Sequence, residues 1–502
     1  MSDSAARLAD GEWHRLHPAS PLLKGGIALL AVLGVVLANL RERLLALFVP
    51  QFGEQDDDPV DYILGHGLVL QALAVVAVVL LVLVFAFYLS WRMHSFRVTE
   101  EVVEVRSGIV FRTNRKARLD RIQGINIQRP FFARLFGAAK LEINQAGQDA
   151  NVALSYLYAP AADVLRAEIL RRASGGAPEP ALEPEPDGRR VFDRRVEEFL
   201  TPEIDPRTAE PGSVVHISAP RLAGATVLSL GFLVSVVLIG VAIALAVRFR
   251  AFGLLFVLVP FVLAMGNVIV RRFLRSLRYR IAGSPDGVRI GYGLFSTSNE
   301  TLPPGRIHSI EISQTLFWRI AGWWEIKVNR AGHSSTQGAQ GQANTTIMPV
   351  GVAADVNRVL ELILPGLPPG ELTTLIGHGL GRTAHDPFTT SPRRAAVLRW
   401  LSWRRNGFLV TDDLVAFRSG AVWRRLVIVP QSRLQSVAIR QGPLERALRL
   451  ATIRLHTVAG PIRARLGAVD RDAAVDFFGE VASGAVAAGH LDTTHRWREG
   501  RA

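Results

Sequence analysis

The sequence predicts an α+β multidomain membrane protein: three small modules of antiparallel strands, each closed by a C-terminal helix, and two transmembrane α-hairpins. Three observations carry this. A glycine, an arginine opening an alternating apolar run, and a second arginine in a turn recur at Gly108, Arg121, Arg134; Gly293, Arg306, Arg319; and Gly420, Arg433, Arg446. All three markers shift by 185 residues between the first two copies and by 127 between the last two, so each copy keeps its register. A period this long is a whole domain rather than a solenoid turn. Four apolar stretches also reach the roughly 20 residues that cross a bilayer core, and every copy places period-two strands before one final helix.

The first hairpin, within residues 22–91 after an N-terminal segment 1–21, uses apolar stretches 22–40 and 67–89. Lys24 lies at the edge of the first stretch, where its stem can snorkel. The length of that stretch and its lack of a small-residue cleavage site mark an anchor rather than a removable signal. The second hairpin, 221–271, uses stretches 222–247 and 251–270, and like 67–89 these hold no charged residue. Pro260 is tolerable there because a neighbouring helix meets the freed carbonyl. The modules occupy 92–173, 272–365 and 406–486, with linkers at 174–220 and 366–405 and a tail at 487–502. In each, the central strand alternates: Ile122, Ile125, Ile127; Ile307, Ile310, Ile312; Leu434, Val437, Ile439. Closing helices are expected over 161–172, 352–364 and 469–483, with Asp163, Asp355 and Asp472 favouring their N-terminal ends.

Charge orients the hairpins. Residues 41–66 hold two arginines against six acids and read as external, whereas Arg271, Arg272, Arg275, Arg278 and Arg280 crowd the end of the fourth stretch. By the positive-inside bias this end is cytoplasmic, which puts both termini and all three modules on the cytoplasmic side of a bacterial inner (plasma) membrane. Among 58 basic residues only four are lysine, and the net charge is +14. No base-reading motif or stacking platform accompanies that charge, so nucleic acid is not an expected partner. Attraction to anionic inner-leaflet lipid explains it more simply. Cysteine is absent, which excludes disulfides and thiol chemistry.

The FRVTEEVVEVRSGIV stretch that follows the first hairpin, the later FLVTDDLVAFRSGAV, and the RIQGINI, RIHSIEI and RLQSVAI strands resemble the bacterial PH-like membrane proteins of the YdbT-like family. These carry the second type of bacterial pleckstrin-homology domain (bPH2, formerly DUF304), and the likeness covers nearly the whole chain. The resemblance implies a PH-like fold and membrane residence, and supplies no enzyme activity. Two departures stand out. Relatives tend to place a hairpin before every domain, but only residues 393–405 precede the third copy, with Trp400 and Trp403 suited to an interfacial helix or an ordinary packed one. Arg449 also replaces the glycine found at Gly137 and Gly322, so its turn is expected to differ.

Chemistry is sparse. The glycine runs at 377–381 and 291–293 lack the Lys-Ser/Thr ending and strand-to-helix context of a phosphate loop and read as turns. His14 and His17 lack a third ligand at metal spacing, and Asp56, Asp57 and Asp58 read as a solvated loop. No cofactor and no metal is expected, and the spans carry no buried acid or base for transport. Binding remains. Arg112, Arg115, Lys116 and Arg118, with Arg424 and Arg425, are candidate contacts to a lipid headgroup or a partner, or solvated hairpin tips. The expected function is non-enzymatic scaffolding through a protein partner or self-association. The alternatives are sensing of anionic lipid and service as an accessory subunit of a transporter or enzyme.

Overall fold

The computed structural model describes residues 7–18, 20, 23, 69–108, 112–145, 151–174, 214–250, 254–303, 305–331, 345–381 and 386–491. The stretch 22–40, apart from Leu23, the acidic segment 41–66 and the tail from 492 lie outside them. Each copy builds two sheets. In the first copy these are β1 (His14–Arg15), β2 (Ser95–Val98), β3 (Val102–Ser107) and β4 (Thr113–Arg118), then β5 (Ile122–Arg129), β6 (Ala138–Gln145) and β7 (Val152–Tyr158). The second copy repeats this with β8 (Val215–His216), β9 (Arg280–Ser284), β10 (Gly287–Tyr292) and β11 (Thr297–Leu302), then β12 (Ile307–Gln314), β13 (Trp324–Arg330) and β14 (Thr346–Gly351). The third has β15 (Thr389–Thr390), β16 (Gly407–Val410), β17 (Leu414–Ser419) and β18 (Arg424–Pro430), then β19 (Ser436–Arg440), β20 (Leu450–His456) and β21 (Arg465–Asp470).

Each first sheet begins upstream of the boundary expected from sequence. His14 pairs with Phe96, Val215 with Ile281 and Thr389 with Phe408, and the latter partners keep the 185- and 127-residue offsets. The apolar stretches are thus inserted in sequence between the first and second strands of a sheet. In the third copy residues 391–406 take that place. They form a 3-10 stretch, Arg393–Val397, and turns instead of an interfacial helix, because Ala395 is buried and Arg394 is drawn into an ion pair with Asp470.

The helices are α1 (Val69–Arg92), α2 (Phe131–Leu135), α3 (Ala159–Ala173), α4 (Ala219–Val227), α5 (Leu230–Arg248), α6 (Leu254–Arg275), α7 (Trp318–Ala321), α8 (Ala353–Ile363), α9 (Pro369–Leu380), α10 (Pro443–Ala447) and α11 (Arg471–Leu491). The closing helices α3, α8 and α11 fall where their apolar periodicity places them. The third apolar stretch is broken in two. Gly224 of α4 lies under the Trp323 ring, where a Cβ would come within 2.7 Å, and Ser229 restarts the chain by capping Phe232 N. Hence α4 is a foot packed on the second module, and α5 is the apolar rod. Among the described residues α5 is the one helix long and apolar enough to cross a membrane, with a mean hydropathy of 2.9 and 11% of its window buried. It packs against α6, which contains Pro260.

The modules are not separate beads. Their sheets run in the order β7-β6-β5-β11-β10-β9-β8 and β14-β13-β12-β18-β17-β16-β15, so the second half-sheet of each copy continues into the first half-sheet of the next. This explains why β18 has a buried run, Leu426 to Val429, with no alternation: Leu426 and Ile428 join the core of the second module while Val427 and Val429 join that of the third.

Candidate functional site: the strand-paired joints

Both joints have one geometry. In the first, β11 lies antiparallel to β5 with Thr301 opposite Ile125 and Ser298 opposite Gln128. In the second, β18 lies on β12 with Ile428 opposite Ile310 and Arg425 opposite Ser313. Adding the repeat offsets to the first set of pairs returns the second. The β-branched residues on these strands place apolar faces inward, and the ladder satisfies the backbone groups that an edge leaves open.

The three sequence markers sit at the joints. Gly293 and Gly420, with φ of 110° and 81°, turn the hairpins that lead into β11 and β18, and a Cβ there would lie about 2 Å or less from the carbonyls of Ser296 and Trp423. The second arginine fastens the neighbour's hairpin: Arg134 Nη1 donates to Leu294 O at 3.4 Å, and Arg319 Nη2 donates to Ala421 O and, at 3.0 Å, to Val422 O. The first arginine also crosses over in the second copy, where Arg306 Nη2 reaches Asp120 O at 3.2 Å. An ion pair accompanies each joint. Beside the first, but within the second module, Arg330 Nη1 on β13 meets Glu300 Oε1 on β11 at 2.5 Å with both side chains at most 3% exposed. In the second, Arg425 Nε donates to Glu311 Oε2 at 2.6 Å, and Asn329 bonds both backbone groups of Ile462.

His308, on β12, feels the second joint. Desolvation, aided by the Arg433 charge, pushes its pKa down to about 4. Arg405, which donates to the carbonyls of Gly379, Leu380 and Gly381, caps the C-terminus of α9, and burial beside Arg424, Arg418 and Arg319 lowers its pKa to about 10. The glycine run at 377–381 is therefore a helix end that presents carbonyls to a cation and offers no amide cradle for phosphate.

The other candidate residues fall in three places. Arg112, Arg115, Lys116 and Arg118 are exposed on and before β4, where Lys116 pairs with Glu104 at 2.6 Å, Arg118 with Asp120 at 2.9 Å, and Arg115 donates to Asn151 O. Arg424 and Arg425 lie within the second joint. Arg271, Arg275 and Arg278 are exposed along and below the end of α6, Arg280 enters β9 half-buried, and the side chain of Arg272 lies outside the described residues. Trp400 is exposed, whereas Trp403 is half-buried against the cluster of Ala395, Leu450 and Ala468 and carries Arg404 over its ring. His14 binds Asp10 and His17 packs edge-on to Tyr158, and among the described residues no acid, histidine or cysteine cluster is arranged to hold a metal. Asp56, Asp57 and Asp58 lie outside the described residues. Sequence reasoning found the joint arginines as a repeat but not as joint residues, and it missed Glu300 and Arg330.

A family profile described as a bacterial PH domain matches the chain three times, over residues 44–173, 223–364 and 375–484. No curated protein and no solved structure matches it.

Proposed function

The chain belongs to the bacterial PH domain family, and from that premise we propose that it is a non-enzymatic multipass membrane protein displaying three PH-like domains on the cytoplasmic face as a protein-interaction platform. PH domains are typically non-catalytic, and three of them point to protein interaction or lipid binding. One observation favours protein. These modules already take up a neighbour's strand twice in one register, and the third copy ends on the equivalent strand, β19, at a sheet edge. Val437 and Ile439 stand there where the joints bury Ile125 and Ile127, yet both are only half-buried. An extended segment adding to this edge gains backbone hydrogen bonds and two apolar contacts.

The test places a photo-crosslinking residue at Ala438 of the full chain in cells. A specific adduct is expected, and it should vanish when Val437→Lys and Ile439→Lys give the edge a basic guard. Adducts indifferent to those lysines would refute the reading. A second reading, contact with anionic lipid, rests on the exposed basic strand β4. It predicts that charge reversal of Arg115, Lys116 and Arg118 removes anionic-lipid enrichment around the purified protein while leaving the Ala438 adduct intact.

A further inference from the structure

The tips of the modules are apolar where solvent is expected. In the turn-helices, Phe132 of α2 is 53% exposed, Ile320 of α7 85% and Leu444 of α10 69%, and the hairpin tips add Phe295 at 54% and Trp423 at 55%. Large apolar residues exposed singly need no explanation, but a series that recurs in the equivalent turn-helices and hairpin tips does.

Contacts place α2, α7 and the two hairpin tips together around the feet of the α5–α6 hairpin. The rings of Phe131 and Phe295 meet edge to face at 6.2 Å, joining α2 to the hairpin tip of the second module. That tip is tied to the end of α6, since Gly293 N donates to Leu277 O at 2.8 Å. On the other foot, Trp318 Nε1 donates to Ala225 O of α4 at 3.1 Å, fixing α7 beside the start of α5. Arg319 then bonds the tip that carries Trp423. The third copy repeats the arrangement without a hairpin. Ala395 packs on Leu450, the equivalent of Trp323, and leaves Val397 and Trp400 exposed by 74% and 76%.

We propose that these tips form one apolar ridge that seats on the surface of an anionic bilayer, so that the three-module array lies along the membrane instead of hanging from its hairpins. The inference rests on the reading that α5 and α6 cross the bilayer. If they do, the feet fix the height of the ridge at the headgroups, where aromatic and aliphatic side chains are at home. Arg271, Arg275 and Arg278 stand along and below the end of α6, where their charges attract an anionic surface. A protein covering the ridge would instead meet a surface interrupted by the hairpin feet.

The chain has no cysteine, so single probes can be introduced cleanly. An environment-sensitive fluorophore is attached at Phe132→Cys, Ile320→Cys or Leu444→Cys of the full chain in mixed phosphatidylcholine and phosphatidylglycerol vesicles. Leu238→Cys in α5 reports hairpin insertion and Glu480→Cys on exposed α11 reports water. Headgroup nitroxide lipids should remove most tip emission and spare the Glu480 probe, while mid-chain nitroxides remove that of Leu238. Tips as unquenched as Glu480, with Leu238 quenched, overturn the ridge and leave the hairpin standing. An unquenched Leu238 sinks the hairpin reading, and the tip probes still decide the ridge by the same criterion. Loss of tip quenching in pure phosphatidylcholine is expected from the arginine contribution; equal quenching there refutes the stated preference for anionic lipid.

Discussion

Glu300→Ala tests the buried ion pair that ties β11 to β13 inside the second module. Its carboxylate faces the Arg330 guanidinium at 2.5 Å, and neither side chain is more than 3% exposed. Removing one partner of such a pair costs about 3–5 kcal/mol because the remaining charge stays buried. At 1.36 kcal/mol per decade this is roughly a 10²- to 10⁴-fold increase in opening of that module. Hydrogen exchange of the full chain in detergent reads it directly: amides of β11 and β13 should lose protection by that factor. Those of β20 and β21, in the third module, serve as an internal reference and should move little. Glu300→Leu combined with Arg330→Met removes both charges and should restore most of the protection, since a well-packed apolar pair replaces a buried ion pair at little cost. Unchanged protection in Glu300→Ala, or equal loss in β20 and β21, would refute the argument that the pair holds the second module together.

His308 makes the second joint sensitive to acid. Its folded pKa of about 4 lies below the ordinary 6.5, so the unfolded chain takes up the proton first; the stability is complete above pH 6.5 and drains as pH falls toward 4, by up to about 3 kcal/mol. Exchange corrected for intrinsic rate should rise in β12 and β18 at pH 5, and His308→Gln should abolish the difference. Arg449 holds φ 50°, the same left-handed turn as Gly137 and Gly322 at 65°. Arg449→Gly should therefore stabilise the third module by about 0.5–1 kcal/mol, the left-handed penalty less the entropy of glycine, visible as a raised thermal midpoint.

The strands were legible because alternation over six to eight residues is a local signal, and the closing helices because their apolar stripe is. The joints were not. Arg134, Arg319 and Arg446 declare a repeat, but nothing local says that the first two bind a carbonyl some 100 or more residues away. The opening strands β1, β8 and β15, two residues each, are too short to carry a period, and the apolar insertion separates β1 and β8 from their partners by more than 60 residues. The third apolar stretch read as one span because hydropathy is blind to the Trp323 ring that claims Gly224. The turn-helices were seen as turns; that Phe132 and Ile320 stay exposed depends on neighbours brought together only by the joints.

The two ends of the array differ in a way that bears on what can join it. β4 occupies the place of β11 and β18, but where those strands carry Glu300, Thr301 or Val427, Ile428, it carries Arg115 and Lys116. Basic residues on an edge oppose strand addition, as capping repeats do at the end of a solenoid. β19 has no such guard, with Val437 and Ile439 in the joint pattern. Were β19 of one chain to seek β4 of another, the joint register would set Lys116 opposite Val437 and Arg115 opposite Ala438, with Arg440 close by and none of the acids that serve Arg330 and Arg425. Head-to-tail growth is therefore disfavoured by the first module's own charges. The strand that fits β19 follows from the existing joints: a β-branched residue opposite Val437, as Thr301 and Ile428 provide, and an acidic or apolar residue opposite Ala438, as Glu300 and Val427 provide.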